Sequence, residues 1–176
     1  MSNTLTATTD ELRCIPSLAE LSDADLAPLL ENGTVGSYND GVTLFEEGDP
    51  VRALFLLLSG SLRIHRPLPG GGRTELAILP SGTVAGEVGL LTRKQRLSAA
   101  SALGTLRVLA VPRDRLVKDY RSGERYALSL LLGVAITLAQ RLDASNQRVS
   151  NSEADCRPRG TDLESFKRTI LEEWSL

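Results

Sequence analysis

The chain has 176 residues, with 20 Lys or Arg, 22 Asp or Glu and a formal charge of −2. A hydrophobic fraction of 41% beside 24% charge excludes a wholly disordered chain and suits one domain with a short appendage. No basic excess supports duplex binding, and one histidine with two distant cysteines, Cys14 and Cys156, supplies too few ligands for a zinc site.

Residues 1–14 read as a flexible N-terminus, because the first ten are polar and Thr-rich. They carry no basic-then-apolar signal segment. Ser22 followed by Asp25, then Leu26, Leu29 and Leu30, predicts a capped helix. From Gly33 the pattern changes to short apolar bursts over 42–45, 53–58, 62–65, 75–79, 97–103 and 106–111, separated by Gly and Pro turns. That rhythm predicts an all-β sandwich or barrel, and no long helix between bursts supports a parallel βαβ sheet. His65 is expected at a strand end on the surface. Glu46 and Glu47 stand in a Gly-Asp-Pro turn and read as a solvated loop. Gly70-Gly71-Gly72 lacks the Lys-Ser/Thr of a phosphate-binding loop and reads as a hairpin tip.

After Pro112 the period becomes helical. A short helix is expected over 114–119 and a long one over 123–150. Leu128, Leu131, Ala135, Leu138, Leu142, Ser145 and Val149 recur at alternating steps of three and four, a seam suited to a homodimer through the 124–150 helix. Apolar residues on other faces, such as Leu130 and Val134, predict packing on the chain's own β-domain. The run 126–140 is uncharged but short of the ~20 residues of a bilayer span, so no membrane segment is expected. The location expected is the cytoplasm, with both thiols free. Residues 151–176 begin as a polar linker. Thr161 with Glu164 then opens a segment that carries Leu163, Phe166, Ile170 and Trp174 on one helical face, able to dock on its own protein or on a protein partner.

The segment 84–100 interrupts the strands with a turn, one carboxylate at Glu87 and a guanidinium at Arg96. Backbone N–H groups at Glu87, Val88 and Gly89 with a nearby arginine form a natural anion site, and Gly86 admits a ligand close to the backbone. By spacing alone, a surface ion pair between Glu87 and Arg96 is the commoner arrangement. No Ser/His/Asp or Cys/His set suggests nucleophilic catalysis, and a cupin-like enzyme would need a metal cluster of His and carboxylates. The chain is therefore read as a non-enzyme.

Three motifs carry a resemblance. Phe45-Glu46-Glu47-Gly48-Asp49 stands in the first hairpin. Leu56-Leu57-Leu58-Ser59-Gly60-Ser61-Leu62 marks the next turn. Leu79-Pro80-Ser81-Gly82 precedes Gly86-Glu87-Val88-Gly89-Leu90-Leu91. Together they resemble the cyclic nucleotide-binding domains of the bacterial catabolite-activator family and of the regulatory subunits of cyclic-AMP-dependent kinase, over residues 15–150. Leu138-Ala139-Gln140-Arg141-Leu142 is similar to that family's dimer helix.

The resemblance implies a mainly β fold with flanking helices, a double-stranded β-helix or jelly-roll barrel followed by a long C-terminal dimerisation helix. It implies cyclic AMP or cyclic GMP as ligand. Arg96 would pair with the cyclic phosphate and Glu87 would accept from the ribose 2′-hydroxyl. Gly86, Glu87, Val88, Leu97 and Ser98 would shape the phosphate cradle, and Ser145 and Asn146 would meet the base. Two departures leave an alternative open. Ala85 stands where the family often has a bulky aromatic, and Leu97 follows Arg96 where a small residue is usual. The alternative is a degenerate fold, its pocket filled by side chains such as Leu97, that serves as an interaction scaffold. The 26 residues after Ser150 are too few for a winged helix-turn-helix, so the expected output is protein–protein rather than direct contact with nucleic acid.

Overall fold

The structure is a computed structural model that describes residues 6–92 and 95–155. Backbone contacts divide the chain into two units, Met1–Ala135 and Ile136–Leu176. The segment 161–176 and Cys156 lie outside the described residues.

The first unit opens with helix α1, Thr9–Leu12, closed by a capping box in which Thr8 N donates to Glu11 Oε2 at 3.0 Å and Glu11 N to Thr8 Oγ1 at 3.2 Å. Arg107 also pairs with the Glu11 carboxylate. Of the segment 1–14 expected to be flexible, residues 9–12 are helical, and residues 1–5 lie outside the described residues. Polar Thr and Glu side chains satisfy the orphan N–H groups of the helix start, and Leu12 is fully buried beneath them. A 3₁₀ turn over Pro16–Leu18 leads to α2, Asp23–Asn32, capped by Ser22 and Asp25 as expected.

Among the described residues six strands follow: β1 Thr34–Tyr38, β2 Thr43–Phe45, β3 Ala53–Pro67, β4 Arg73–Pro80, β5 Val84–Ala85 and β6 Ala99–Pro112. All pairings are antiparallel. The two long strands make the roll. Ala53–Leu57 pairs with 108–112, and Ser61–His65 pairs with 99–103, so one ladder serves two halves. Its register shifts between Leu57 and Ser61, at Gly60. Gly60 has φ +82, and a β-carbon there would stand 2.2 Å from the carbonyl oxygen of Thr105, so only glycine fits this bend. β1 and β5 extend one half of the ladder, and β2 and β4 the other. Phe45, Leu57, Leu62, Leu79, Ala85, Ala100, Ala102, Leu106 and Val108, drawn from both halves, close on one another as the core. Curling the sheet in this way is what lets so small a domain bury a continuous apolar interior.

Helix α3, Glu87–Thr92, interrupts the strands between β5 and β6. Helix α4, Arg113–Ser122, ends at Gly123, with Glu124 N donating to Asp119 O at 3.0 Å. Helix α5 runs over Arg125–Asp155, five residues beyond the expected stop at 150. In the first unit Tyr126, Ala127, Leu130 and Val134 are buried on one side, while Leu128 and Leu132 are 45% and 63% exposed. A β-carbon on Gly133 would stand 2.4 Å from Ser17 Oγ, so the helix approaches the N-terminal segment closely. By length and composition alone, Arg125–Asp143 is long and apolar enough to cross a bilayer, which the shorter uncharged run did not suggest. Its buried side in the first unit is the pattern of a helix packed on a protein core.

Candidate functional site

Arg96 lies just before β6, and its backbone is clipped to the turn after β2. Gly48 N donates to Arg96 O, and Arg96 N to Asp49 O, each at 2.9 Å. Glu46 N donates to Asp49 Oδ2 at 2.8 Å, which holds the turn itself. One residue on, Arg66 Nη2 donates to Leu97 O at 2.9 Å while its Nε stands 3.5 Å from the Glu47 carboxylate. The Glu46–Glu47 turn is an exposed loop, as expected, and it also clasps the arginine segment.

Clasped there, the Arg96 side chain turns inward and is only 5% exposed. Its Nη2 donates to Ala53 O at 2.7 Å and its Nη1 to Gly86 O at 3.1 Å. The guanidinium carbon sits 4.2 Å from the ring centroid of Phe45 and 5.4 Å from that of Phe55. The Nε atom is buried with no hydrogen-bond partner among the described residues. Burial pulls the guanidinium below its ordinary pKa, and the charges of Glu87 and Asp49 oppose that shift. An arginine remains a cation under such a pull.

Gly86 lies between β5 and α3 with φ +87, a conformation that gives its carbonyl to Arg96 and leaves no room for a side chain. Glu87 opens α3 and is 3% exposed. It is no surface ion-pair partner, since both it and Arg96 are buried. Val88 is half-buried on the same short helix. Ser98 is half-buried beyond Arg96, and Leu97 is 49% exposed. Leu97 therefore does not fill the interior, which removes the specific support for a plugged pocket. Gly86, Glu87 and Arg96 are brought together. Ser145 and Asn146 belong to the second unit. Asn146 is exposed, and the Ser145 side chain is not among those described.

A cavity of about 410 Å³ reaches Arg96 from the turn side, lined by Leu44, Phe45, Asp49, Pro50, Arg52, Ala53 and Phe55 as well. That volume falls in the range of small-ligand pockets. Gly86 and Glu87 are not on its wall. Among the described residues no group of three or more His, Cys, Asp or Glu is placed to hold a metal ion. His65, expected on the surface, is 2% exposed, and neither ring nitrogen has a hydrogen-bond partner among the described residues. The reason is its place in mid-ladder, opposite Glu75 on β4 and Ala99 on β6. Sequence reasoning also missed Phe45 and Phe55 as neighbours of Arg96. Phe45 stands in one of the recognised motifs, yet nothing in the motif tells that its ring meets a guanidinium 51 positions later in the chain.

The sequence profile described as "Cyclic nucleotide-binding domain" matches residues 35–120. The chain is also similar to the N-terminal domain of a transcriptional regulator from Streptomyces coelicolor A3(2), at 31% identity and a TM-score of 0.62, over 77% of this chain and 95% of that one. The chain belongs to the cyclic nucleotide-binding domain family. The matched span of this family member holds the roll, Gly86, Glu87 and Arg96. Over 105 residues it is 34% identical to the "Cyclic AMP receptor protein" of Thermus thermophilus, covering 60% of this chain and 47% of that protein. Over 144 residues it is 35% identical to "Glutaminase 1" of Bradyrhizobium diazoefficiens, covering 80% of this chain and 22% of that protein. The chain thus spans about half or less of the curated relatives it matches. Its fold is the regulatory cyclic nucleotide-binding roll, mainly antiparallel β with flanking helices.

The residues present fit the phosphate of such a ligand. Arg96 offers a buried cation whose Nε has no partner among the described residues, and Gly86, with no β-carbon, lets that guanidinium lie against its backbone. A six-residue α3 is too short to carry an anion site by its own N-terminus, so the arginine carries the fit.

Proposed function

We propose that this chain is a non-enzymatic sensor module for cyclic AMP or cyclic GMP. One observation carries the reading: Arg96 is turned inward, buried and incompletely hydrogen-bonded beside Gly86 and Glu87. A cyclic phosphate would accept from the guanidinium in a charge-assisted bond, stronger for being shielded from water. Glu87 would accept from the ribose 2′-hydroxyl. Coupling runs through Ala53, which holds Arg96 by its carbonyl and stands in register with Pro112, the residue before α4. Arg113 N, the first of α4, donates to Arg52 O at 2.8 Å, so the strand end that senses Arg96 also holds the helix that leads into α5.

The module acts in the cytoplasm as a homodimer through α5, with its output to a protein partner. Exposed Leu128 and Leu132 support the dimer, since their apolar surface lies away from the residues buried in the first unit. Sedimentation at micromolar concentration is expected to show a dimer that Leu132→Lys converts to a folded monomer. A wild-type monomer at that concentration overturns the dimer.

Ligand at a hundred times its Kd stabilises the folded chain by about 2.7 kcal/mol, a melting-temperature rise of about 5–10 °C. Calorimetric titration and melting curves with each nucleotide test the reading. Arg96→Ala is expected to abolish the rise. A wild-type chain whose melting temperature moves with neither nucleotide at millimolar concentration overturns it.

A further inference from the structure

We propose that Phe45 is a positioning residue for the ligand, acting through Arg96. The inference rests on the cyclic-nucleotide reading of the site. A guanidinium has five N–H donors in one plane. Two of them are engaged by the carbonyls of Ala53 and Gly86, which lie on different segments, at the first residue of β3 and just before α3. Those two bonds fix how the plane is turned. They do not fix its tilt. The ring of Phe45 does, by covering the cation at 4.2 Å, and Phe55 backs that ring with centroids 5.7 Å apart and planes 18° from parallel. A cation on an aromatic face is held by the ring's quadrupole, and more strongly where water is excluded, as it is around this buried side chain.

Of its donors, Nε–H is buried without an acceptor among the described residues. A buried charged donor without a partner is costly, so the packing that keeps it in place is what gives the ligand a ready site. A phosphate diester monoanion meets a guanidinium that has already lost its rotational freedom, and a site ordered beforehand binds more tightly because less order is imposed on binding. Leucine at 45 would keep most of the apolar volume and lose the aromatic face. The cavity that borders Phe45 opens beside the same ring.

The test compares Phe45→Leu and Phe45→Tyr with the wild-type chain by titration with cyclic AMP and cyclic GMP. It also follows the Arg96 Nε–H resonance by ¹⁵N–¹H spectroscopy without nucleotide. Phe45→Leu is expected to weaken the bound nucleotide about fivefold to tenfold, tenfold being about 1.4 kcal/mol, while Phe45→Tyr stays within about twofold. The Nε–H signal is expected to carry a ring-current shift that Phe45→Leu removes and Phe45→Tyr keeps. Equal weakening by both variants would show a packing role only and overturn the proposal. So would an Nε–H signal indifferent to Phe45→Leu, whatever the affinities. Wild-type binding of neither nucleotide overturns the functional reading and the ligand-positioning role with it, while the resonance still decides whether Phe45 orders Arg96.

Discussion

A β-carbon on Gly86 would stand 1.8 Å from Nη1 of Arg96. The glycine is therefore the floor on which the guanidinium lies, and its carbonyl is one of the two acceptors that hold it. Both facts follow from one backbone conformation, φ +87, which side-chain-bearing residues adopt at a cost of about 1–2 kcal/mol. Gly86→Ala adds a second cost, because the displaced guanidinium leaves the Ala53 carbonyl without its donor. Denaturant unfolding is expected to show a loss of about 2 kcal/mol or more. The nucleotide-dependent rise in melting temperature is expected to vanish with it. A Gly86→Ala chain that keeps both its stability and that rise would show that the arginine binds elsewhere.

Tyr126 on α5 donates its hydroxyl to Asp119 on α4, which also accepts from Arg115 Nε at 2.9 Å. Burial pushes the phenol of Tyr126 up from its ordinary value, and the Asp119 carboxylate adds to the rise. Burial alone would raise Asp119, but the bonds from Tyr126 and Arg115 hold it below the usual carboxylate range. A carboxylate depressed in the folded state stabilises it above the unfolded pKa, and that contribution is lost as pH falls through the folded value. Tyr126→Phe removes one donor from a buried carboxylate and is expected to cost about 1–3 kcal/mol at neutral pH. It is also expected to flatten the loss of stability on acidification below pH ~4. Urea midpoints of the two chains at pH 7 and pH 3 check both parts, and an unchanged acid slope would separate this pair from the acid response.

Strand bursts and turn glycines made the roll legible in sequence, because a period of two and a break at glycine are local properties. The pairing of Gly86, Glu87 and Arg96 was legible through motif resemblance, since all three stand within one interruption of the strand pattern. What surrounds Arg96 was not. Phe45 reaches it because β2 pairs with the start of β6, while Phe55 and the Ala53 carbonyl come from the part of β3 that pairs with the end of β6, and long-range register leaves no local trace. Leu97 misled for a related reason. A bulky residue beside the arginine suggested a filled pocket, but Arg66 holds the Leu97 carbonyl from one side and the side chain points outward. His65 misled because a histidine next to Arg66 looks like a surface strand end, whereas β3 continues to Pro67 with β4 paired alongside it and the side chain is buried.

That buried His65 gives the fold a pH response distinct from the acid limb of Asp119. Burial lowers its pKa below the ordinary histidine value, Arg73 and Arg63 lower it further, and Glu46 opposes them. Glu75 stands opposite it in register on β4, and β6 presents the uncharged Ala99. With the folded value depressed, the unfolded chain takes up its proton first as pH falls below ~6.5, so unfolding becomes easier there. The loss grows at up to about 1.4 kcal/mol per pH unit until the folded value is reached, and then stops. Protonation in place would put a third cation beside Arg63 and Arg73 with no acceptor on either ring nitrogen. Denaturant midpoints of the wild-type chain are therefore expected to fall between pH 7 and pH 5, before most carboxylates titrate. His65→Gln, which carries no titrating group, is expected to be nearly flat over that interval. Equal slopes in the two chains would move the response from His65 to another group.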